Sequence, residues 1–293
     1  MTPRIQDILD KADREGAVRR VRTDVAVAAA DPMLTTPAAP GLEPALAATL
    51  AATGTASTTH LGTSTAATVA APPLTPARIV AGALLDPRLI TANSANSAVA
   101  EQYRALRTRI VHADPLSPVN VVLLTSAGRG EGKTLTAGNL GLTMAQEWQR
   151  RICIVDADLR RPQMQRLFGL PDGPGLCDVL AGRASIEEAL ITLEEHGVTI
   201  LPAGHVPAHP AELLGTTAMR RTLETLRTQF DRVVIDAAPA VPLADVSILA
   251  PLVDRVLLVV RAGVTTRPAI QDAVSAIDSA KLLGFVLNEA DQA

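Results

Sequence analysis

An apolar stretch of strand length, VNVVLLT at 119–125, runs directly into SAGRGEGKT and then into LTAGNLGLTMAQEW, a run with helical patterning. Few sequence features restrict a fold more tightly. Gly128, Gly130 and Gly132 allow a tight turn whose backbone N–H groups converge on one point. The helix that follows adds its unpaired N–H groups and the positive end of its dipole. A strand, such a loop and then a helix form the context of a phosphate-binding loop. Lys133 is placed to reach the β- and γ-phosphates of a nucleotide, and the Thr134 hydroxyl to meet Mg²⁺. The expected nucleotide-contacting segment is Gly128, Arg129, Gly130, Glu131, Gly132, Lys133, Thr134 and Leu135. Ala127 stands where the pattern usually opens with glycine. The competing reading, a glycine-rich turn before a helix, gives no reason for Gly132, Lys133 and Thr134 to follow one another.

The rest of the chain fits a domain around that loop. Strand-length apolar runs lie at 120–125, 152–155, 199–202, 232–235, 255–260 and 282–287. Helical patterns lie at 97–112, 133–149, 186–193, 211–229, 243–249 and 267–279. The strand runs are rich in β-branched residues and show little alternation, as expected of strands buried on both faces. The predicted fold is α/β: a doubly wound, mostly parallel sheet with helices on both faces, spanning 78–293. Ligands in such folds sit at the carboxyl ends of the strands. Aromatic residues make up only 2% of the chain, so Ala, Val, Ile and Leu must build the core. Cys153, inside ICIV, is expected to pack as a small hydrophobe.

Two further zones precede this domain. Residues 1–24 are charged and carry Ile5, Ile8, Leu9 and Ala12 at helical spacing, which predicts a short amphipathic helix able to dock or to pack locally. Residues 25–77 hold no Lys or Arg and are mostly Ala, Thr and Pro. A stretch so poor in large side chains cannot offset the entropy of ordering, and reads as a flexible linker. The formal net charge of −3 argues against bulk nucleic-acid binding. The N-terminus lacks a signal-peptide core, and Asp254, Arg255 and Arg261 interrupt the longest apolar stretch. A cytoplasmic setting is expected.

Acidic residues recur at strand ends. VDADLRRP places Asp156 and Asp158 just past one apolar run, and VVIDAAP places Asp236 at the end of another. Carboxylates there can hold Mg²⁺ directly or through water; the alternative is that they cap turns or helices. In an extended Asp-x-Asp both side chains lie on one side. Arg160 and Arg161 either neutralise phosphate or are solvated. Asn288 either contacts a base or caps a turn.

These segments together resemble the bacterial tyrosine kinase (BY-kinase) family, whose members are cytoplasmic P-loop ATPase domains of capsule and exopolysaccharide systems. The resemblance covers roughly 86–288. It rests on EQYRALRTRI, GRGEGKT, VDADLRRP, GLCDVLAG with LPAGHVPAHPAELL, and VVIDAAPAVPLADV. It implies ATP and Mg²⁺ as cofactors. Lys133 and Thr134 would bind phosphate and metal. Asp156 and Asp158 would organise Mg²⁺ and activate a tyrosine hydroxyl, and Asp236 would complete the metal shell. Read alone, Glu101, Arg104 and Arg107 fit a solvated intrahelical salt-bridge row best; the resemblance instead implies that they mediate homo-oligomerisation. The implied partner is a membrane polysaccharide co-polymerase, or chain-length regulator, which would bring the chain to the inner face of the plasma membrane.

Two departures shape the expectation. Family kinases usually carry a tyrosine-rich C-terminal tail, whereas this sequence ends in GFVLNEADQA and holds one tyrosine, Tyr103. Gly128 stands where partition and division-site ATPases of the superfamily carry an extra lysine. The readings are therefore a tyrosine kinase acting on Tyr103 or on another protein, a non-kinase ATP-dependent assembly switch, and, behind both, a partition-type ATPase.

Overall fold

The computed structural model describes residues 75–76, 78–113, 118–147 and 150–289. The expected helix over 1–24 and nearly all of the expected linker lie outside the described residues. Eight strands form one sheet: β1 (Arg78–Val80), β2 (Val121–Ser126), β3 (Ile152–Ala157), β4 (Ile191–Leu193), β5 (Val198–Leu201), β6 (Arg232–Ala237), β7 (Arg255–Arg261) and β8 (Leu282–Asn288). Their order is β1-β4-β5-β3-β6-β2-β7-β8. Only the β4–β5 pairing is antiparallel, so the sheet is mostly parallel, as its uninterrupted apolar runs predict.

Alternate side chains of each strand enter two separate cores. Val121 and Leu123 of β2 pack on one face with Cys153 and Val155 of β3, against helices at Leu176–Leu180, Thr217–Gln229 and Arg267–Ser275. Val122 and Leu124 face the other way with Ile154. There they meet Leu106 and Ile110 of α1 (Ala98–Val111) and Leu140 and Met144 of α2 (Lys133–Ala145). Gly141 lets α2 lie close on the sheet, because a Cβ there would come within 2.4 Å of the Ile154 Cδ1 atom. Cys153 is fully buried among apolar neighbours, as expected.

All six strand expectations are met within two residues. Four helix expectations need correction: those over 133–149 and 267–279 end early, at Ala145 and Ser275, and two others change in kind. The run 186–193 is helical only over Ile186–Ala189, started by a capping box between Ser185 and Glu188. Ile191–Leu193 instead pairs with both β1 and β5. The run 211–229 splits into Pro210–Leu214 and Thr217–Gln229, because Gly215 ends the first helix and Thr216 is extended before the second. The edge strand β1 carries too short a signal to be read from sequence.

Candidate nucleotide site

The carboxyl ends of β2, β3 and β6 lie side by side, with β6 in the middle. The loop after β2 curls back over its own start. Gly130 and Gly132 have positive φ, of 73° and 89°, which glycine adopts without strain. Ser126 Oγ donates to the Gly128 carbonyl at 2.6 Å. Glu131 is nearly buried and its side chain turns inward: one oxygen accepts from Gly128 N at 3.0 Å, the other from Thr265 Oγ1 at 2.6 Å. Asn288 Nδ2 donates to the Glu131 carbonyl at 3.0 Å. Of the two roles open to Asn288 in the sequence, this geometry supports bracing of the turn. Thr265 is a site residue that sequence reasoning missed, since 134 positions separate it from its partner and no local pattern marks it.

The three strand-end carboxylates converge on Lys133. Its Nζ lies 2.6 Å from Asp158 Oδ2, 3.5 Å from Asp236 Oδ1 and 3.2 Å from the Thr134 hydroxyl. Asp156 and Asp236 are register partners on β3 and β6, both fully buried. Burial pulls the lysine toward its neutral form, but Asp236 and Asp158 outweigh that and hold it charged. For Asp236 the balance runs the other way: burial, resisted by Lys133, pushes its carboxyl up to about 6. Asp156 is likewise raised, by burial first and by Asp236 second. One cation among three carboxylates leaves an excess of buried negative charge.

The two residues of the Asp-x-Asp pair differ in their partners. Asp156 Oδ2 accepts from Gln163 N and Met164 N at 3.1 and 2.9 Å, and its Oδ1 from Asp158 N at 3.2 Å. It thus fastens the turn that follows β3, the capping alternative raised by the sequence. Asp158 keeps one oxygen on Lys133 and takes Arg161 N on the other. Asp236 Oδ2 is buried with no hydrogen-bond partner among the described residues. Such an atom is costly unless something else occupies its lone pairs.

Replacing Asp236 with Asn therefore tests the electrostatics. The carboxyl is raised on folding, so its contribution to stability is full below the ordinary value of 3.8 and is lost as pH rises through about 6. Asp236→Asn is expected to raise Tm of the nucleotide-free protein by ~2–6 °C at pH 8, and by less at pH 5. Thermal unfolding at the two pH values checks the sign.

Around this centre lies a cleft of about 630 Å³. It is lined by Gly130, Gly132, Lys133, Thr134 and Leu135 of the loop and helix, by Asp158, and by Pro239, Leu243 and Asn288. Arg129 of the loop and Arg160 and Arg161 also reach it. Arg160 is held from behind, bidentate on the buried Asp245 at 2.8 Å for both bonds. Asp245 carries no sequence signal that would pair it with Arg160. Among the described residues no three acidic, His or Cys side chains form a ready-made metal cage.

The expected oligomerisation row is split by its own periodicity. Glu101 is exposed and pairs with Arg104. Each step of three residues rotates the row toward α2, and Arg107 Nη1 donates to the Thr143 carbonyl at 2.8 Å. Tyr103, on the same helix, is buried with its hydroxyl bonded to Thr136 and Asn139, and burial pushes that hydroxyl up to about 12. In this arrangement its hydroxyl faces α2 rather than solvent. No helix among the described residues is long and apolar enough to cross a membrane.

Comparisons with known proteins agree with this geometry. Residues 120–282 match the AAA domain family model. The chain is 34% identical over 209 residues to tyrosine-protein kinase YwqD of Bacillus subtilis, covering 71% of this chain and 88% of that one. It is 32% identical over 204 residues to tyrosine-protein kinase etk of Escherichia coli, covering 69% of this chain but only 28% of that longer protein. The solved kinase domain of Escherichia coli ETK superposes with a TM-score of 0.67 at 27% identity, over 70% of this chain and 81% of that one. With the loop, its lysine and the strand-end carboxylates in place, the chain belongs to the bacterial tyrosine-kinase family as an ATP-binding P-loop domain.

Proposed function

We propose that this chain transfers the γ-phosphoryl group of ATP to a tyrosine on another polypeptide, within a capsule or exopolysaccharide assembly system. The observation that carries the reading is the 2.6 Å contact between Lys133 and Asp158, which joins the loop that takes the phosphates to the acidic segment after β3. In this reading the loop N–H groups and Lys133 bind and orient the triphosphate. Asp158 then exchanges its lysine for the acceptor hydroxyl and accepts its proton. The tyrosine oxygen forms a bond to the γ-phosphorus as the bond to the β–γ bridging oxygen breaks, and ADP leaves.

Thr134 and Asp236 fit a Mg²⁺ ion. Asp236 Oδ2 is a buried oxygen lacking a partner, and Mg²⁺ typically takes only one or two carboxylates beside water and phosphate. The ion would supply charge neutralisation between the β- and γ-phosphates. Asp156 supports the site by fixing the turn that carries Asp158. Glu101 and Arg104 remain the outward part of a homo-oligomer contact, with Arg107 aligning their helix on α2. The partner in this reading is a membrane polysaccharide co-polymerase, which would hold the chain at the inner face of the membrane.

Burial of Tyr103, the sole tyrosine of this sequence, favours a second reading: an ATP-dependent assembly switch without kinase output. The two separate in one assay. Purified protein with labelled ATP, Mg²⁺ and a tyrosine-containing polypeptide is expected to label that polypeptide on tyrosine and to leave Tyr103 unlabelled. Asp158→Asn should lower the rate by about 10²-fold or more. Firm ATP binding with no phosphotyrosine on any polypeptide contradicts the kinase reading and leaves the switch.

A further inference from the structure

The cleft is lined by more cations than carboxylates. Its lining includes Lys133 and the guanidinium groups of Arg88, Arg129, Arg160, Arg161 and Arg166, against the carboxylates of Asp86, Asp158 and Glu289. Several of these are already satisfied. Lys133 has Asp158, Arg160 has Asp245, and Arg88 is bidentate on Asp86 at 2.8 and 2.9 Å. Arg129, Arg161 and Arg166 are exposed and make no salt bridge among the described residues; Arg129 belongs to the phosphate loop itself, which leaves Arg161 and Arg166.

The location of these groups matters as much as their number. The phosphate loop follows β2, whereas Arg161 and Arg166 follow β3, and β6 lies between the two strands. Both arginines line the cleft from the segment that follows β3, and so form a wall of it separate from the phosphate loop. Asp158 joins the two: one of its oxygens touches Lys133 and the other accepts from Arg161 N. The wall therefore flanks the side from which an acceptor would approach Asp158. Apolar surface for an aromatic ring is close by, from Leu167, Pro239 and Leu243.

We infer that this wall reads the acceptor: the polypeptide it selects carries Asp or Glu beside its tyrosine, and their carboxylates pair with Arg161 and Arg166. The inference rests on the kinase reading for the tyrosine, but the recognition itself is a binding property that exists without turnover. Tyr103 is buried and is not that segment. Guanidinium groups without carboxylate partners suit carboxylates in bidentate pairs, and like charge beside the tyrosine would be repelled.

A binding titration tests this independently of catalysis. Short fluorescent peptides carrying Phe in place of Tyr, flanked by Glu, Gln or Lys, are titrated with the full chain loaded with a non-hydrolysable ATP analogue and Mg²⁺. The Glu peptide is expected to bind about tenfold more tightly than the Lys peptide at low salt, with the difference shrinking at high salt. In the double variant Arg161→Gln, Arg166→Gln the preference for the Glu peptide should be lost, read at saturating analogue with the variant's own affinity for the analogue measured beside it. Equal affinity for the three peptides overturns the inference, as does an unchanged order in the variant. A variant that loses the analogue instead of the peptide ranking also overturns it, by returning the two arginines to the nucleotide. Failure of the kinase reading looks different: the Glu peptide binds with its preference intact, but its Tyr counterpart gains no phosphate from ATP.

Discussion

Lys133→Ala is expected to reduce phosphoryl transfer by about 10²–10³-fold or more and, separately, to destabilise the nucleotide-free protein by roughly 3 kcal/mol at pH 8. The first effect follows from removing the one lysine among the described residues that line the cleft, the group that would neutralise charge on the transferring phosphoryl. The second follows from the resting geometry. Lys133 is the cation facing Asp158 and Asp236, both buried, with the buried Asp156 adding to the field. Without it the carboxylates are left uncompensated, which costs far more than a surface pair does. The cost should fall as the solution is acidified through the raised range of Asp156 and Asp236, because protonation then relieves the repulsion. The rate of phosphotyrosine formation from labelled ATP measures the first effect, and thermal unfolding at pH 8 and pH 5 the second. A variant that loses activity with the same Tm at both pH values would mean that the lysine is not the counter-ion of the cluster.

Gly132→Ala is expected to weaken nucleotide binding by at least about tenfold and to cost roughly 2–4 kcal/mol of stability. Gly132 has φ +89°, and a Cβ there would stand 2.1 Å from Asn288 Nδ2. The amide that bonds the Glu131 carbonyl would have to leave, so the penalty combines backbone strain with loss of the brace. A control separates these. Gly182 also has positive φ, of 68°, but a Cβ there meets nothing within 4 Å, so Gly182→Ala should cost only about 1 kcal/mol and leave nucleotide binding intact. Adding Asn288→Ala to Gly132→Ala relieves the clash but not the strain, and is expected to recover part of the loss. Denaturant unfolding and nucleotide titration across these variants check the partition.

Much of this account is legible in the sequence because the governing signals are local. A strand buried on both faces is a short apolar run, and a phosphate loop is a few consecutive residues. The sequence is less informative where long-range packing decides. Ile191–Leu193 continues a helical pattern, yet it completes a sheet edge between β1 and β5. Asp156 and Asp158 look alike in VDADLRRP, and only the fold shows that the first holds the following turn while the second faces Lys133. Arg104 and Arg107 look equivalent in EQYRALRTRI, but helical rotation carries Arg107 onto α2. The contacts Glu131–Thr265 and Arg160–Asp245 span 134 and 85 positions, beyond the reach of any spacing rule.

The central claim concerns the destination of the γ-phosphoryl group, and a single-turnover experiment addresses it most directly. A limiting amount of γ-labelled ATP with Mg²⁺ is mixed with excess protein and an excess of a glutamate- and tyrosine-containing polypeptide. The label is then partitioned by quenching between phosphotyrosine and free phosphate. The account predicts that phosphotyrosine on the polypeptide takes the larger share, and that the label fails to move in Lys133→Ala. Label released entirely as free phosphate, at the same rate with and without the polypeptide, would contradict it.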